Sequence, residues 1–287
     1  MSDKKILDSI KKLREITGVG FSDCKLAVTE TSGDIEKSIE YLRKKGIAKA
    51  SKKMSRVAAD GLILLSEGGG SITAIEINSE TDFVAKNKDF ISFCKEVADI
   101  NFKNKADLDK LKKSKMKNGK TVEENLITLI SKIGEKITIR RSKYFNNDGK
   151  NFYYVHNSQE KNIGKVISIV KLSNNNQKNL EDVGSKLAMH IAAQAPISIN
   201  SDGISKNVLD KELEIIKEEL KNTGKKPDMV EKIANGKIKK FISENTLLNQ
   251  AWIMDTKMTV NQFLNQYSNN GKIDIIDFVR FKVGEGI

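Results

Sequence analysis

Apolar positions in the first fifty residues recur at helical spacing. Ile6, Ile10 and Leu13 step by four and three, and Leu7 and Ile16 widen the stripe. Gly18-Val19-Gly20 stops that helix, and Ser22 can cap the next, which turns Cys24, Ala27 and Val28 inward. Gly33 ends it, and Asp34 can cap a third helix bearing Ile35, Ile39 and Leu42. Three short helices enclose a small core with little spare stability, which suits a docking module without chemistry of its own. Residues 44–56 read as a Lys-rich connector leading to Arg56-Val57-Ala58-Ala59-Asp60-Gly61.

The pattern then changes to short alternating runs. Leu62–Ser66, the turn Glu67-Gly68-Gly69-Gly70 and Ile72–Ile77 predict a hairpin. A helix over Asp89–Phe102 follows, with Phe90, Phe93, Cys94 and Val97 on one side. The same order returns later: Asn151–His156, a polar turn, Gly164–Val170, and a helix with Val183, Leu187, Ile191 and Ala192 inward. Two copies of strand, turn, strand and helix predict two related subdomains, each a small antiparallel sheet covered by helices. Between the copies, Val122, Leu126, Leu129, Ile130 and Ile133 mark another helix, which Gly134 closes in a left-handed cap. Residues 137–141 then alternate like a strand.

Residues 206–243 differ. Leu209, Leu213, Ile216 and Leu220 form a narrow seam among charged residues, Asn222–Pro227 breaks the helix, and Val230, Ile233 and Phe241 mark a return. A narrow seam suits a projecting antiparallel helical hairpin, which has one partner surface; a pair of ordinary core helices is the plainer alternative. The fold class expected is α+β. The expected units are residues 1–54 (three-helix module and basic linker), 55–148 (first subdomain), 149–205 with 244–287 (second subdomain), and 206–243 (hairpin insertion).

Composition narrows the functions. No run approaches the roughly 18 apolar residues of a membrane span, and the N-terminus lacks a signal-like apolar stretch, so a cytoplasmic location is expected. Cys24 and Cys94 are the only cysteines, each on an apolar helical face, and read as buried free thiols. With only His156 and His190 besides, no zinc-ligand spacing exists, and His190 on a helical pattern reads as a packed core group. A net charge of +12, with basic clusters at Arg43–Arg56, Lys110–Lys120 and Lys132–Lys143, fits RNA or an acidic protein partner. Asn118-Gly119-Lys120-Thr121 is no phosphate loop, because the glycine required five residues before Gly119 is Ser114. No cofactor, metal site or covalent chemistry is expected.

The most telling string is Thr81-Asp82-Phe83-Val84-Ala85-Lys86-Asn87, on the turn from the second strand to the first long helix. By type and position alone, a Phe near a helix start more often closes the core. Here it lies among Thr, Asp and Lys, and with Asp82 as cap it stands at the first helical position, off the packed stripe. In the second copy the matching loop, Ser173–Asn179, is polar and carries no aromatic.

This string resembles the signature loop of bacterial translation elongation factor Ts. Residues 17–25, 132–141, 187–192 and 278–287 resemble that family in the same order, so the likeness runs along essentially the whole chain. It implies a guanine nucleotide exchange factor for elongation factor Tu that binds the GDP-bound and nucleotide-free forms and needs no nucleic acid or membrane. The three-helix module would be of the ubiquitin-associated type and grip the partner's G domain through Arg14, Phe21 and Lys53. Phe83 would wedge between helices of that domain and disturb its Mg²⁺ site. Asp82 would fix the loop and contact the partner's backbone, Thr81 and Val84 would shape the turn, and Ile133 and Gly134 would flank the wedge. His156, Ile253 and Met254 match positions that touch a second partner domain. Phe21 and Ser22 depart from the more apolar pair of some members. Some members also carry a helix-bearing extension beyond the point where this chain stops, so its contacts are expected to be absent. A dimer of factor–Tu heterodimers is compatible with the family. The rival function is RNA or ribosome binding through the lysine clusters, which would fall steeply with salt.

Overall fold

The computed structural model describes residues 3–17, 19–158, 160–173, 179–221, 227–267 and 272–287. Helices α1 (Asp3–Thr17), α2 (Phe21–Glu30) and α3 (Ile35–Lys53) pack around Ile10, Leu13, Val19, Cys24, Ala27, Val28 and Leu42. The proposed stop at Gly18 lies outside the described residues. Asp34 caps α3 as expected, its carboxylate accepting the Lys37 N–H at 3.0 Å. Two expectations need correction. The N-cap of α2 is Gly20, and Ser22 lies inside the helix. The Lys-rich connector is helical as far as Lys53. Lys44 on this stretch is exposed, while Ala50 is buried in the next core. Gly46 permits this close approach, since a Cβ there would sit 2.8 Å from the Ser131 Oγ.

Next come β1 (Asp60–Gly68), β2 (Ser71–Ser79), α4 (Asp82–Ala85), α5 (Lys88–Lys103), α6 (Leu108–Lys113), α7 (Val122–Ile133) and β3 (Ile137–Phe145). Thr121 and Glu124 form a capping box at the start of α7. The Asn118–Thr121 string is therefore a helix entry. Gly134 closes α7 at φ 89°, ψ 4°, the left-handed cap read from the sequence. The second half follows with β4 (Lys150–His156), β5 (Ile163–Gly164), β6 (Val166–Leu172) and α8 (Leu180–Gln194). Most of the polar loop before α8, residues 174–178, lies outside the described residues. After α8 come α9 (Lys206–Lys221), α10 (Pro227–Asn245), β7 (Ala251–Trp252), β8 (Asp255–Thr259), α11 (Val260–Gln266) and β9 (Ile275–Lys282). Helices α9 and α10 pack through their own small cluster, centred on Ile216, Leu220 and Ala234. Of the break expected at Asn222–Pro227, residues 222–226 lie outside the described residues and Pro227 opens α10.

The strands form antiparallel sheets ordered β3-β2-β1-β5 and β4-β6-β9, with β7 and β8 as a separate pair. Their burial departs from the expectation of two separately covered sheets. Leu62 and Leu64 face the core under α5 and α7, whereas Ile63 and Leu65 face the other way. There they meet Ile72, Ala74 and Phe145 of the first sheet and Ile167, Ile169 and Phe281 of the second. The sheets thus pack on each other, with helices outside both: an α+β architecture in four layers. Strands β1 and β6 carry nearly unbroken apolar runs because both of their faces are covered. Strand β5, from between the second copy's strands, joins the first sheet beside β1.

Glu76 secures the two halves. It is fully buried on β2 and accepts from Arg140 at 3.1 Å, Arg141 at 2.5 Å, Asn78 at 2.9 Å and the Gly284 N–H at 2.9 Å. Burial pushes its carboxyl up, but the hydrogen bonds from Asn78, Gly284 and Arg141 outweigh burial and hold it below the usual range.

Candidate functional site

The turn from β2 to α5 contains its own one-turn helix, α4. Val84 and Ala85 are buried beneath it in the first core. Phe83 lies on the opposite side and is 79% exposed, the most exposed large apolar side chain among the described residues. The N-cap of α4 is Thr81, in extended conformation, and Asp82 is the first helical residue. The expectation that Asp82 caps the helix is therefore off by one position. The Asp82 carboxylate instead accepts from Lys86 Nζ at 2.7 Å, one helical turn on. That bond holds the Asp82 carboxyl below its ordinary range, with a smaller contribution from Lys165, and holds Lys86 above its own. Asn87 then starts α5, its side chain accepting the N–H groups of Asp89 at 2.9 Å and Phe90 at 3.3 Å.

The base of this turn is clamped from two sides. Thr81 donates its N–H to Glu135 Oε2 at 3.0 Å and its hydroxyl to Glu135 Oε1 at 2.7 Å. Ser79 donates its hydroxyl to the Thr81 carbonyl at 3.0 Å. Glu80 accepts the Lys136 N–H at 2.6 Å and faces Arg56 Nη1 at 3.3 Å. Lys136 Nζ in turn donates to the carbonyls of Met54 at 2.7 Å and Arg56 at 2.8 Å. Lys53 Nζ donates to the Gly134 carbonyl. The exposed ring therefore stands on a stem fixed by buried apolar residues and charge-assisted hydrogen bonds, which are the stronger kind.

Of the residues singled out by the sequence, Lys53, Thr81, Asp82, Phe83, Val84, Ile133 and Gly134 gather here. Ile133 is half-buried against the first core. Arg14 and Phe21 are exposed on the three-helix cluster, and no hydrogen bond among the described residues joins them to the turn. His156 is exposed at the end of β4, and its carbonyl accepts the Lys165 N–H at 3.4 Å. Lys165 Nζ reaches Asp60 and the Gly61 carbonyl, and its charge also acts on the Asp82 carboxyl of the Phe83 turn. Ile253 donates its N–H to Nδ1 of the buried His190 at 3.4 Å, and Met254 beside it is half exposed at the β7–β8 turn. His190 also meets Gln250 Oε1 through Nε2 at 3.0 Å and stacks on Trp252 at 5.1 Å. It is a core group, as read from its helical setting. Glu80, Glu135, Arg56, Lys136 and Lys165 were not singled out by the sequence. Glu135 and Lys136 lay inside the string 132–141, but nothing in that string gave their partners.

Among the described residues, no group of three or more His, Cys, Asp or Glu is placed to hold a metal ion. No helix there is long and apolar enough to cross a membrane. Cys24 and Cys94 are buried free thiols, and burial pushes the Cys94 thiol well above its ordinary range.

Residues 80–285 match the family model described as Elongation factor TS, and the match begins at Glu80 of the clamp. Elongation factor Ts of Maricaulis maris (strain MCS10) is 39% identical over 285 residues, covering 97% of this chain and 91% of that protein. Elongation factor Ts of Rickettsia massiliae (strain Mtu5) is 39% identical over 284 residues, covering 97% and 92%. That of Rickettsia bellii (strain OSU 85-389) is 38% identical over 283 residues, covering 97% and 91%. The chain therefore belongs to the elongation factor Ts family of translation elongation proteins.

Proposed function

We propose that this chain is a guanine nucleotide exchange factor for elongation factor Tu, with Phe83 as its wedge. The observation that carries the reading is a phenyl ring 79% exposed on a turn whose base is clamped from two sides. A ring so placed offers burial of about 2–3 kcal/mol to a partner's pocket. A rigid stem loses little entropy when that pocket closes on it.

Exchange needs a difference in affinity, not covalent chemistry. Bound Mg²⁺ demands near-ideal octahedral oxygen ligands, so a small displacement of a ligand-bearing element weakens the nucleotide site steeply. A factor that binds the nucleotide-free state better than the GDP-bound state supplies that displacement, and linkage makes nucleotide expel the factor in return. Phe83 supplies the differential contact. Asp82, tied to Lys86, and Thr81, tied to Glu135, set where the ring points, while Val84 anchors the stem and Ile133 and Gly134 flank it. Helices α1–α3 act as a docking module of the ubiquitin-associated type, with Arg14 and Phe21 toward the G domain and Lys53 at the join to the wedge. His156, Ile253 and Met254 form a second grip on another domain of the partner. These distant contacts supply affinity that the wedge converts into distortion.

The experiment is direct. Adding the purified chain in catalytic amounts to elongation factor Tu loaded with fluorescent GDP, with excess unlabelled GDP, accelerates loss of fluorescence if the reading holds. An unchanged release rate contradicts it.

A further inference from the structure

Three consecutive residues at the α7–β3 turn hold two parts of the molecule, the exit of α3 and the base of the Phe83 turn. The Gly134 carbonyl accepts from Lys53 at the end of α3. Glu135 uses both carboxylate oxygens on Thr81, at 3.0 Å and 2.7 Å. Lys136 gives its N–H to Glu80 at 2.6 Å and its ammonium to the carbonyls of Met54 and Arg56 at 2.7 Å and 2.8 Å. The turn that fixes the base of the Phe83 stem thus also fixes the exit of the N-terminal module.

Two details argue for a specific role of Glu135. A threonine at an N-cap ordinarily turns its hydroxyl onto the helix's own free N–H groups. Thr81 makes no such cap bond, and its hydroxyl goes to Glu135 instead. Local helix capping has been given up for a contact 54 residues away. The second detail is the path of α3. It belongs to the three-helix cluster through Leu42, runs alongside α7 past Gly46 and Ser131, and pairs Arg43 with Glu124. Helix α3 therefore leaves the module already registered on α7, whose C-terminal turn carries Glu135.

We propose that Gly134–Lys136 is a shared anchor that couples the α1–α3 module to the Phe83 wedge, with Glu135 as a positioning residue for exchange. Docking of the module then fixes where the ring enters the partner, because both are referred to one turn. The proposal rests on the reading of Phe83 as the wedge and goes beyond it by assigning a role to a residue that need not touch the partner.

The test compares Glu135→Ala and Glu135→Gln in stopped-flow GDP release from elongation factor Tu, titrating the factor to saturation. A glutamine can accept the Thr81 N–H through its amide oxygen and donate its amide to the Thr81 hydroxyl, so it keeps both bonds without the charge. Glu135→Ala loses both and is expected to lower the saturating release rate about tenfold, the equivalent of losing charge-assisted hydrogen bonds. The concentration for half-saturation should move less than about twofold, since the docking surfaces are untouched. Glu135→Gln should stay within about twofold of the parent in both. Thr81→Val, which removes only the hydroxyl, should give a smaller loss that does not add to that of Glu135→Ala. Hydrogen exchange on the free proteins should show faster exchange at residues 81–85 in Glu135→Ala, with β1 and β2 unchanged.

Equal losses in the Ala and Gln variants would overturn the proposal, because the charge and not the position would then matter. A loss confined to half-saturation, or unaltered release with Glu135→Ala, would overturn it too. Phe83→Ala run alongside separates the two levels: normal release there sinks the wedge itself, while a defective Phe83→Ala with a normal Glu135→Ala sinks only the anchor. Should Glu135→Ala fail to fold, Thr81→Val decides, since its full activity would contradict the loss that the proposal predicts for the Thr81 hydroxyl–Glu135 bond and so overturn it.

Discussion

The two strand-turn-strand-helix halves use aromatic residues in opposite ways. In the second half Trp252 stacks on Phe263 at 4.0 Å and on His190 at 5.1 Å, with Phe152 packed in the same core. In the first half Phe90 and Phe93 do the same work, yet Phe83, a few residues earlier, is turned out to solvent. The frame is shared and the difference lies in one connection. Before α5 that connection holds a helical turn pinned by Val84, Ala85 and Glu135. At α8 the helix begins directly with buried Leu180, after an Asn179 N-cap that makes no side-chain cap bond. On the proposed reading, the strands and helices of both halves supply rigidity, and function resides in the helical turn before α5.

The change that breaks this contrast most severely is Phe83→Ala. It should slow factor-stimulated GDP release roughly 30- to 160-fold, the rate equivalent of about 2–3 kcal/mol of lost ring burial. The melting temperature should not move, because the ring contributes no core contact. Release that is unaltered, or a falling melting temperature, would place the ring in the fold.

The second half answers with stability instead. Gly184 in α8 lies against the Phe152 ring, and a Cβ there would sit 2.1 Å from it. Gly184→Ala should cost about 1–3 kcal/mol through overpacking, read as a lower midpoint in urea with Phe83-dependent release retained by the folded protein.

Acid should separate the halves further. Burial holds His190 below its ordinary value of 6.5, opposed only by the Gln250 hydrogen bond. Its contribution to stability is therefore complete above pH 6.5 and is lost as pH falls from there through the folded value. Glu76 in the first half is held below its ordinary value of 4.5, so its contribution persists until pH falls below about 4.5. Trp252, the only tryptophan, stacks on His190 and reports the second half. Its fluorescence melt should shift down between pH 7 and pH 5.5, and His190→Gln should flatten that dependence. A pH-independent melt in the parent would contradict the assignment.

The smallest effect belongs to Asp82→Asn. The Asp82–Lys86 pair is exposed and one helical turn long, and such pairs contribute little. Asparagine still accepts from Lys86 and loses only the charge, so the loop keeps its aim and release should change by less than about twofold. A large loss would mean that Asp82 meets the partner directly, the contact that the family resemblance implies.

Much of this contrast was legible in the sequence. The stripes of α1, α5, α7 and α8 gave the helices, Gly134 gave its left-handed cap, and the resemblance of the whole string 81–87 to a family signature set Phe83 apart from the core phenylalanines. The helical character of residues 44–53 was hidden, because a lysine run reads as a linker when its buried contacts, Gly46 against Ser131 and Ala50 in the core, are small residues. The packing of the two sheets was hidden as well: alternate residues of β1 face two different cores, and an apolar run does not say what covers each face. The clamp could not be read at all. Its bonds join residues 54, 56 and 81 positions apart, and single-chain patterns carry no information about such pairings.

The central claim is that Phe83 makes its contact in the nucleotide-free partner and not in the loaded one. Affinities of the parent chain and of Phe83→Ala for GDP-bound and nucleotide-free elongation factor Tu, measured by titration calorimetry, test it most directly. The account predicts that Phe83→Ala weakens binding to the nucleotide-free form and leaves binding to the GDP-bound form unchanged, so that the ratio between them shrinks. An equal loss in both, or a ratio that stays the same, would contradict it.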